Sequence, residues 1–121
     1  HRVTVLFSAD GELGALSPEA ALCLFRVSQE AVANVVRHAR AATIQVHLLS
    51  TAERAELEVI DNGIGFVSSA NTGGGLGLRS IEERVRLIRG NVSVESRLGH
   101  GTSLLVCIPR AVHEFERVGV S

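Results

Sequence analysis

At 121 residues, 45% of them apolar, the chain is long enough for one domain built around one hydrophobic core. Its formal net charge is −1, with acidic and basic residues interspersed, which argues against a nucleic-acid or membrane-surface partner held by bulk charge. No apolar run approaches the ~18 residues of a membrane-spanning helix, and the N-terminus carries no signal-peptide pattern.

Val3 to Ser8 reads as a strand, and Asp10-Gly11-Glu12-Leu13-Gly14 as a turn. Ser17-Pro18-Glu19 is a helix start, with Ser as N-cap and Pro at the first helical position, and the helix runs to about Ala39. Thr43 to Ser50 and Ala55 to Ile60 alternate in polarity, so they form a hairpin across the residues between. Ser68 to Gly77, rich in Gly, Ser, Asn and Thr, is predicted to be a mobile loop. Leu78, Ile81, Val85 and Ile88 mark a second helix over Leu78 to Arg89, with Gly90 as its stop. Asn91 to Ser96 and Thr102 to Ile108 are two further strands, and residues 110–121 read as a C-terminal tail to a domain spanning 1–109. The order β-α-β-β-loop-α-β-β indicates an α/β (α+β) two-layer sandwich, with two helices on one face of a mixed sheet. Cys23 and Cys107 lack zinc-site spacing and fit a reducing, cytoplasmic setting, although a disulfide between them stays open.

On a helical wheel, Leu24, Phe25, Ser28, Ala31, Val32, Val35 and Ala39 make a core face, and Glu30, Asn34 and Arg37, with His38 beside them, lie across from it. Glu30 and Asn34 set two oxygens one turn apart. An Asn oxygen suits Mg²⁺, and a nearby Glu can deprotonate an attacking group. The same ridge is also what the solvated side of any amphipathic helix looks like. Gly73-Gly74-Gly75-Leu76-Gly77 precedes the second helix, where N–H groups attract phosphate, or it is simply a flexible loop. Neither a P-loop nor a dinucleotide fingerprint is present. Asp61, at a strand end in Asp61-Asn62-Gly63-Ile64-Gly65-Phe66, either accepts from the amino group of adenine or starts a turn.

Taken together these segments resemble a known family. Phe25-Arg26-Val27-Ser28-Gln29-Glu30-Ala31, Asn34 and Arg37-His38-Ala39 resemble the N-box of bacterial sensor histidine kinases, in the subgroup that pairs with nitrate-response-type regulators. Asp61 to Phe66 is similar to the G1 box, Gly73 to Leu78 with the following helix to the G2 box, and Gly99-His100-Gly101-Thr102 with Pro109 to the last hairpin. The likeness covers Val3 to Pro109, with every box in family order. It implies the ATP-binding fold shared by gyrase, chaperone, histidine-kinase and mismatch-repair ATPases, with ATP and Mg²⁺ as ligands. Asp61 would read adenine, Gly63 and Gly65 would let the nucleotide approach backbone, and Thr102 would support the adenine side. Asn34 would hold Mg²⁺, Glu30 would activate the accepting imidazole or meet the metal through water, and Arg37 or His38 would steady phosphate. Residues 66–77 would be the lid over ATP, with Gly75 and Gly77 near the phosphates and Gly73, Leu76 and Leu78 also among the nucleotide-binding residues.

The chain departs from the family in two ways: no phenylalanine box is evident between G1 and G2, and none of the five histidines has the setting of a phosphoacceptor. The resemblance therefore implies the catalytic half of a cytoplasmic kinase whose dimerisation and phosphoacceptor domain is its partner, with a response regulator downstream. No nucleic acid and no direct membrane contact are implied. A stand-alone anti-sigma-factor serine kinase and a degenerate interaction module are the alternatives. The start at His1, without Met, reads as a cut from a longer protein and favours the first reading.

Overall fold

The structure, a computed structural model, describes residues 2–65 and 78–109. Strand β1 (Thr4–Gly11) leads through a 3-10 turn into helix α1 (Pro18–Asn34), which continues as a π-helical turn over Val35–Ala39. Strands β2 (Thr43–Ser50) and β3 (Arg54–Asp61) follow, then helix α2 (Leu78–Leu87) and strands β4 (Asn91–Arg97) and β5 (Gly101–Pro109). The five strands form one sheet in the order β1-β2-β3-β5-β4. β1 runs parallel to β2 and every other pair is antiparallel, so the sheet is mixed, as predicted. Parallel pairing needs a crossover, which α1 supplies.

Local chemistry sets the helix ends. Ser17 is extended, and its Oγ accepts a hydrogen bond from the Ala20 N–H at 3.1 Å, with Pro18 behind it at the start of α1. The far end closes on Arg40, whose φ of 52° is left-handed. α2 stops at Leu87, two residues before the predicted end. Its left-handed residue is Arg89 (φ 64°), not Gly90. The Gly90 N–H closes on the Val85 carbonyl at 2.9 Å, and a Cβ at Gly90 would stand 2.7 Å from the Cys107 carbonyl oxygen, so this glycine is required by close packing on β5. β1 is longer than its apolar pattern predicts: Asp10 and Gly11, read as a turn, pair with Leu49 and Ser50 because β2 extends far enough to receive them.

Both helices lie on one face. Leu24, Val27 and Ala31 of α1 and Ile81 and Val85 of α2 pack with Ile44, Val46, Leu57, Val59, Leu104, Val106 and Ile108 of the sheet. Edge strand β1 is poorly covered, and Val5, Leu6 and Phe7 are exposed. Among the described residues no helix is long and apolar enough to cross a membrane.

The buried face of α1 corrects the wheel. Ala20, Cys23, Leu24, Val27, Ala31 and Val35 are buried, while Phe25 is 56% exposed. The stripe is turned by about 80° from the predicted one, on the 100° per residue spacing. Phe25 and Ser28 turned the predicted stripe away from the observed one: α2 packs on the Cys23 side of α1, and among the described residues no helix covers the flank that carries Phe25. Glu30 and Asn34 therefore border the buried face rather than oppose it. Val27→Ala should cost about 2 kcal/mol, from two buried carbons and the space they leave. Phe25→Ala should cost about 0.5 kcal/mol or less. Urea unfolding of the two variants checks the order.

Candidate nucleotide-binding site

One end of the sheet gathers several of the chain segments that carry predicted site residues. Asp61 closes β3, in register with Ile44 near the start of β2 and with Thr102 near the start of β5. The Asn62 Oδ1 accepts from the backbone N–H groups of Ala42 and Thr43 at 3.0 and 2.9 Å, tying the end of β3 to the entry of β2 just after the π-turn of α1. The Gly99 N–H donates to the Ile64 carbonyl at 2.7 Å, which fastens the same segment to the β4–β5 hairpin.

Two glycines are obligatory here. Gly65 (φ 67°) and Gly101 (φ 81°) are both left-handed, and a Cβ on either would sit 2.1 Å from a backbone oxygen, of Arg97 and Asp61 respectively. For Gly65, expected to bare its backbone to a nucleotide, the structure thus supplies a reason internal to the fold: it lies against the β4–β5 hairpin. Gly63 is buried, and its N–H donates to the Asp61 Oδ1 at 2.7 Å.

Asp61 belongs to an inward row, after Ala55, Leu57 and Val59, and is 5% exposed. Burial pushes its carboxyl above the usual carboxylate range, although the N–H groups of Gly63 and Thr102 pull the other way. The Thr102 hydroxyl shares a 2.8 Å hydrogen bond with Ser96 Oγ. Asp61 and Thr102 therefore sit side by side at the strand ends, with polar groups in an otherwise aliphatic layer.

Glu30 and Asn34 occupy the last two turns of α1, on the side facing α2. The Glu30 Oε1 lies 3.2 Å from Ser80 Oγ and 3.7 Å from Arg84 Nε, both on α2. The Asn34 Oδ1 accepts from Arg37 Nη2 at 3.0 Å, across the junction with the π-turn. π-turns inside helices frequently mark functional sites, and this one carries Arg37 and His38. Leu78, partly buried, packs the start of α2 onto the core. Gly73, Gly75, Leu76, Gly77 and the tail 110–121 lie outside the described residues, as does the His38 side chain.

The candidate residues thus fall into a strand-end group, Asp61 and Thr102, and a helix-end group, Glu30, Asn34 and Arg37. Sequence reasoning missed Asn62, hidden in a turn-like Asp-Asn-Gly, and the pair Ser80 and Arg84. Their four-residue spacing puts them on one ridge of α2, but nothing local says that the ridge meets Glu30. A separate row lies on the open face of the sheet: Ser8 Oγ is 2.6 Å from His47 Nδ1, and His47 Nε2 is 3.4 Å from Asp10 Oδ2. β2 alternates there, so His47 points away from the layer that holds Glu30 and Asp61.

Comparison with known proteins fits this arrangement. The chain is 40% identical over 108 residues to the sensor histidine kinase MctS of Rhizobium johnstonii, covering 87% of the chain and 23% of that protein. It is 32% identical over 113 residues to the signal transduction histidine-protein kinase/phosphatase DegS of Bacillus subtilis, covering 89% of the chain and 29% of that protein. The chain therefore spans about a quarter of the length of these relatives. The histidine kinase domain of the Erythrobacter litoralis EL346 blue-light activated histidine kinase superposes with a TM-score of 0.69 at 25% identity, over 88% of this chain and 51% of that one. The catalytic domain of histidine kinase ThkA shares the fold, with a TM-score of 0.68 at 17% identity, over 88% of this chain and 78% of that one. Residues 20–112 match the model of the histidine kinase-, DNA gyrase B- and HSP90-like ATPases, and the chain belongs to that family.

Proposed function

We propose that this domain, residues 1–109 with 110–121 as a tail, binds Mg-ATP and hands the γ-phosphoryl group to a histidine on a separate dimerisation domain of a sensor kinase. The observation that carries the reading is Asp61. A carboxylate closing an inward apolar row, raised in pKa by its own burial, is a poor choice for stability. It is a good one for an adenine amino group, which donates where guanine presents an oxygen. Thr102, next to it in register, supports the same end of the base.

Asn34 and Glu30 form a donor set suited to Mg²⁺, which takes one or two protein oxygens and completes its shell with water and phosphate. A single Asn oxygen with one carboxylate nearby suits an ion that arrives on the nucleotide, since phosphate and water oxygens complete its shell. Asn34 Oδ1 would hold the ion, and Arg37, now bonded to that oxygen, would turn to the phosphates with His38. The ion's contribution is to neutralise charge on the transferring group. The chain's own part is to orient the reactants, with Glu30 taking the imidazole proton. Gly75 and Gly77 would lie near the phosphates ahead of α2, with Gly73, Leu76 and Leu78 as further nucleotide-binding residues. The N-box pattern supports a regulator of the nitrate-response type as the downstream partner, and ATP supply supports a cytoplasmic site. The relatives are named histidine kinases, and nothing favours a serine kinase or a non-catalytic module.

Asp61→Asn should weaken ATP about 10–100-fold, the worth of a hydrogen bond to a charged group. Asn34→Ala should mainly abolish the Mg²⁺ dependence of binding. Calorimetry with and without Mg²⁺ reads both, and unchanged affinity in both variants would overturn the site. Mixing the domain with a histidine-bearing dimerisation domain and labelled ATP should give an acid-labile phosphoprotein, whereas an acid-stable product on serine would sink the reading.

The pH dependence has a definite sign. Because burial raises the Asp61 pKa above its unfolded value of 3.8, its contribution to stability is full below about that pH and is lost as pH rises through the folded value. As pH rises past it, the free domain carries the cost of ionising a buried carboxyl. Asp61→Asn should therefore raise the Tm of the ATP-free domain at pH 7, and the gain should shrink on acidification. ATP affinity of the native domain should fall over that same acid range, as the acceptor is protonated.

A further inference from the structure

The assignment of Glu30 leaves open what aims it. Glu30 sits at the seam of α1 and α2, with its side chain 27% exposed, and its two described partners both come from α2. Ser80 and Arg84 stand one turn apart on a single ridge, and both reach Oε1. That ridge cannot rotate freely: Ile81 and Val85, interleaved with it, are fully buried, and the Cys23 thiol donates to the Arg84 carbonyl oxygen at 3.8 Å. The ion pair is too exposed to hold the helices together, since the Arg84 side chain is 46% exposed and such pairs contribute little to stability. Its consequence is geometric. The Ser80 hydroxyl donates to Oε1 and the Arg84 guanidinium attracts the same oxygen from 3.7 Å, so both draw it toward α2.

We propose that Ser80 and Arg84 are positioning residues for Glu30: they hold Oε1 so that Oε2 faces the incoming imidazole. This rests on the reading of Glu30 as proton acceptor. In the step served, the imidazole nitrogen bonds to the γ-phosphorus and the bond from phosphorus to the bridging oxygen breaks. ADP leaves with the electron pair, and the imidazole proton passes to Glu30. Because α2 begins at Leu78, directly after the glycine segment, Ser80 in its first turn makes the aim of the carboxylate depend on how the start of that helix is seated.

The test measures single-turnover histidine phosphorylation by the parent kinase, together with ATP affinity. Ser80→Ala and Arg84→Met should each slow transfer about tenfold, equivalent to roughly one misplaced hydrogen bond. ATP Kd should be unchanged, and Arg84→Lys should restore part of the rate. In a Glu30→Gln background, neither change should slow transfer further. An equal slowing in that background, or a loss of ATP affinity in step with the rate, would overturn the proposal as mere loosening of α2. Ser80→Ala, the mildest change, keeps the test in force if Arg84→Met unfolds. If Glu30→Gln is slow but Ser80→Ala and Arg84→Met transfer at the native rate, the positioning role alone fails. If Glu30→Gln itself transfers at the native rate, the reading of Glu30 fails and takes this proposal with it.

Discussion

The structure is organised around the cost of keeping a carboxylate in an aliphatic layer. Asp61 occupies the last inward position of β3, where Ala55, Leu57 and Val59 precede it. That position is tolerable only because backbone N–H groups of Gly63 and Thr102 reach it. Those donors are in place because the following residues are held on both sides, by Asn62 to β2 and by Ile64 and Gly65 to the β4–β5 hairpin. The rigidity of the strand end and the polarity of the site are one arrangement. A residue chosen for stability would be apolar there, and the fold instead surrounds a polar one with fixed backbone.

The helix-end group follows a different logic. Glu30 and Asn34 are oriented by a helix pair rather than by strands, and the pair is set by the aliphatic contacts of Val27, Ala31, Ile81 and Val85. Because these small and branched side chains pack closely, α1 presents its polar edge at the seam and not to bulk water. The seam is where a long acidic side chain can be both reachable and restrained.

Much of this was legible in the sequence. Periodicity and capping residues gave the order of helices and strands, and Ser17-Pro18 located the start of α1 to the residue. Asp61, Glu30 and Asn34 stood out as candidates by residue type and spacing, and Thr102 only through the family resemblance. What was not legible depended on distant partners. The wheel for α1 counted Phe25 as core because its angle groups it with Leu24, Ala31 and Val35, yet which flank α2 covers is decided by residues fifty positions further on. The length of β1 was hidden for the same reason, since Asp10-Gly11 is a turn by local preference and a strand only because β2 extends beside it. Gly65 was readable as necessary but not why: its neighbour is Arg97, on another hairpin.

The parallel edge strand β1 has a consequence for how the domain opens. β2 with β3 and β4 with β5 close short loops, β3 with β5 closes a long one at the centre of the sheet, and β1, joining at its edge, closes a long one too. Its side chains return little burial for that, with Phe7 67% exposed. β1 is accordingly the least protected unit of the sheet, able to detach while β2, β3, β5 and β4 keep the strand ends around Asp61 together. β1 is thus the strand that can let go without disturbing the end of the sheet that carries Asp61.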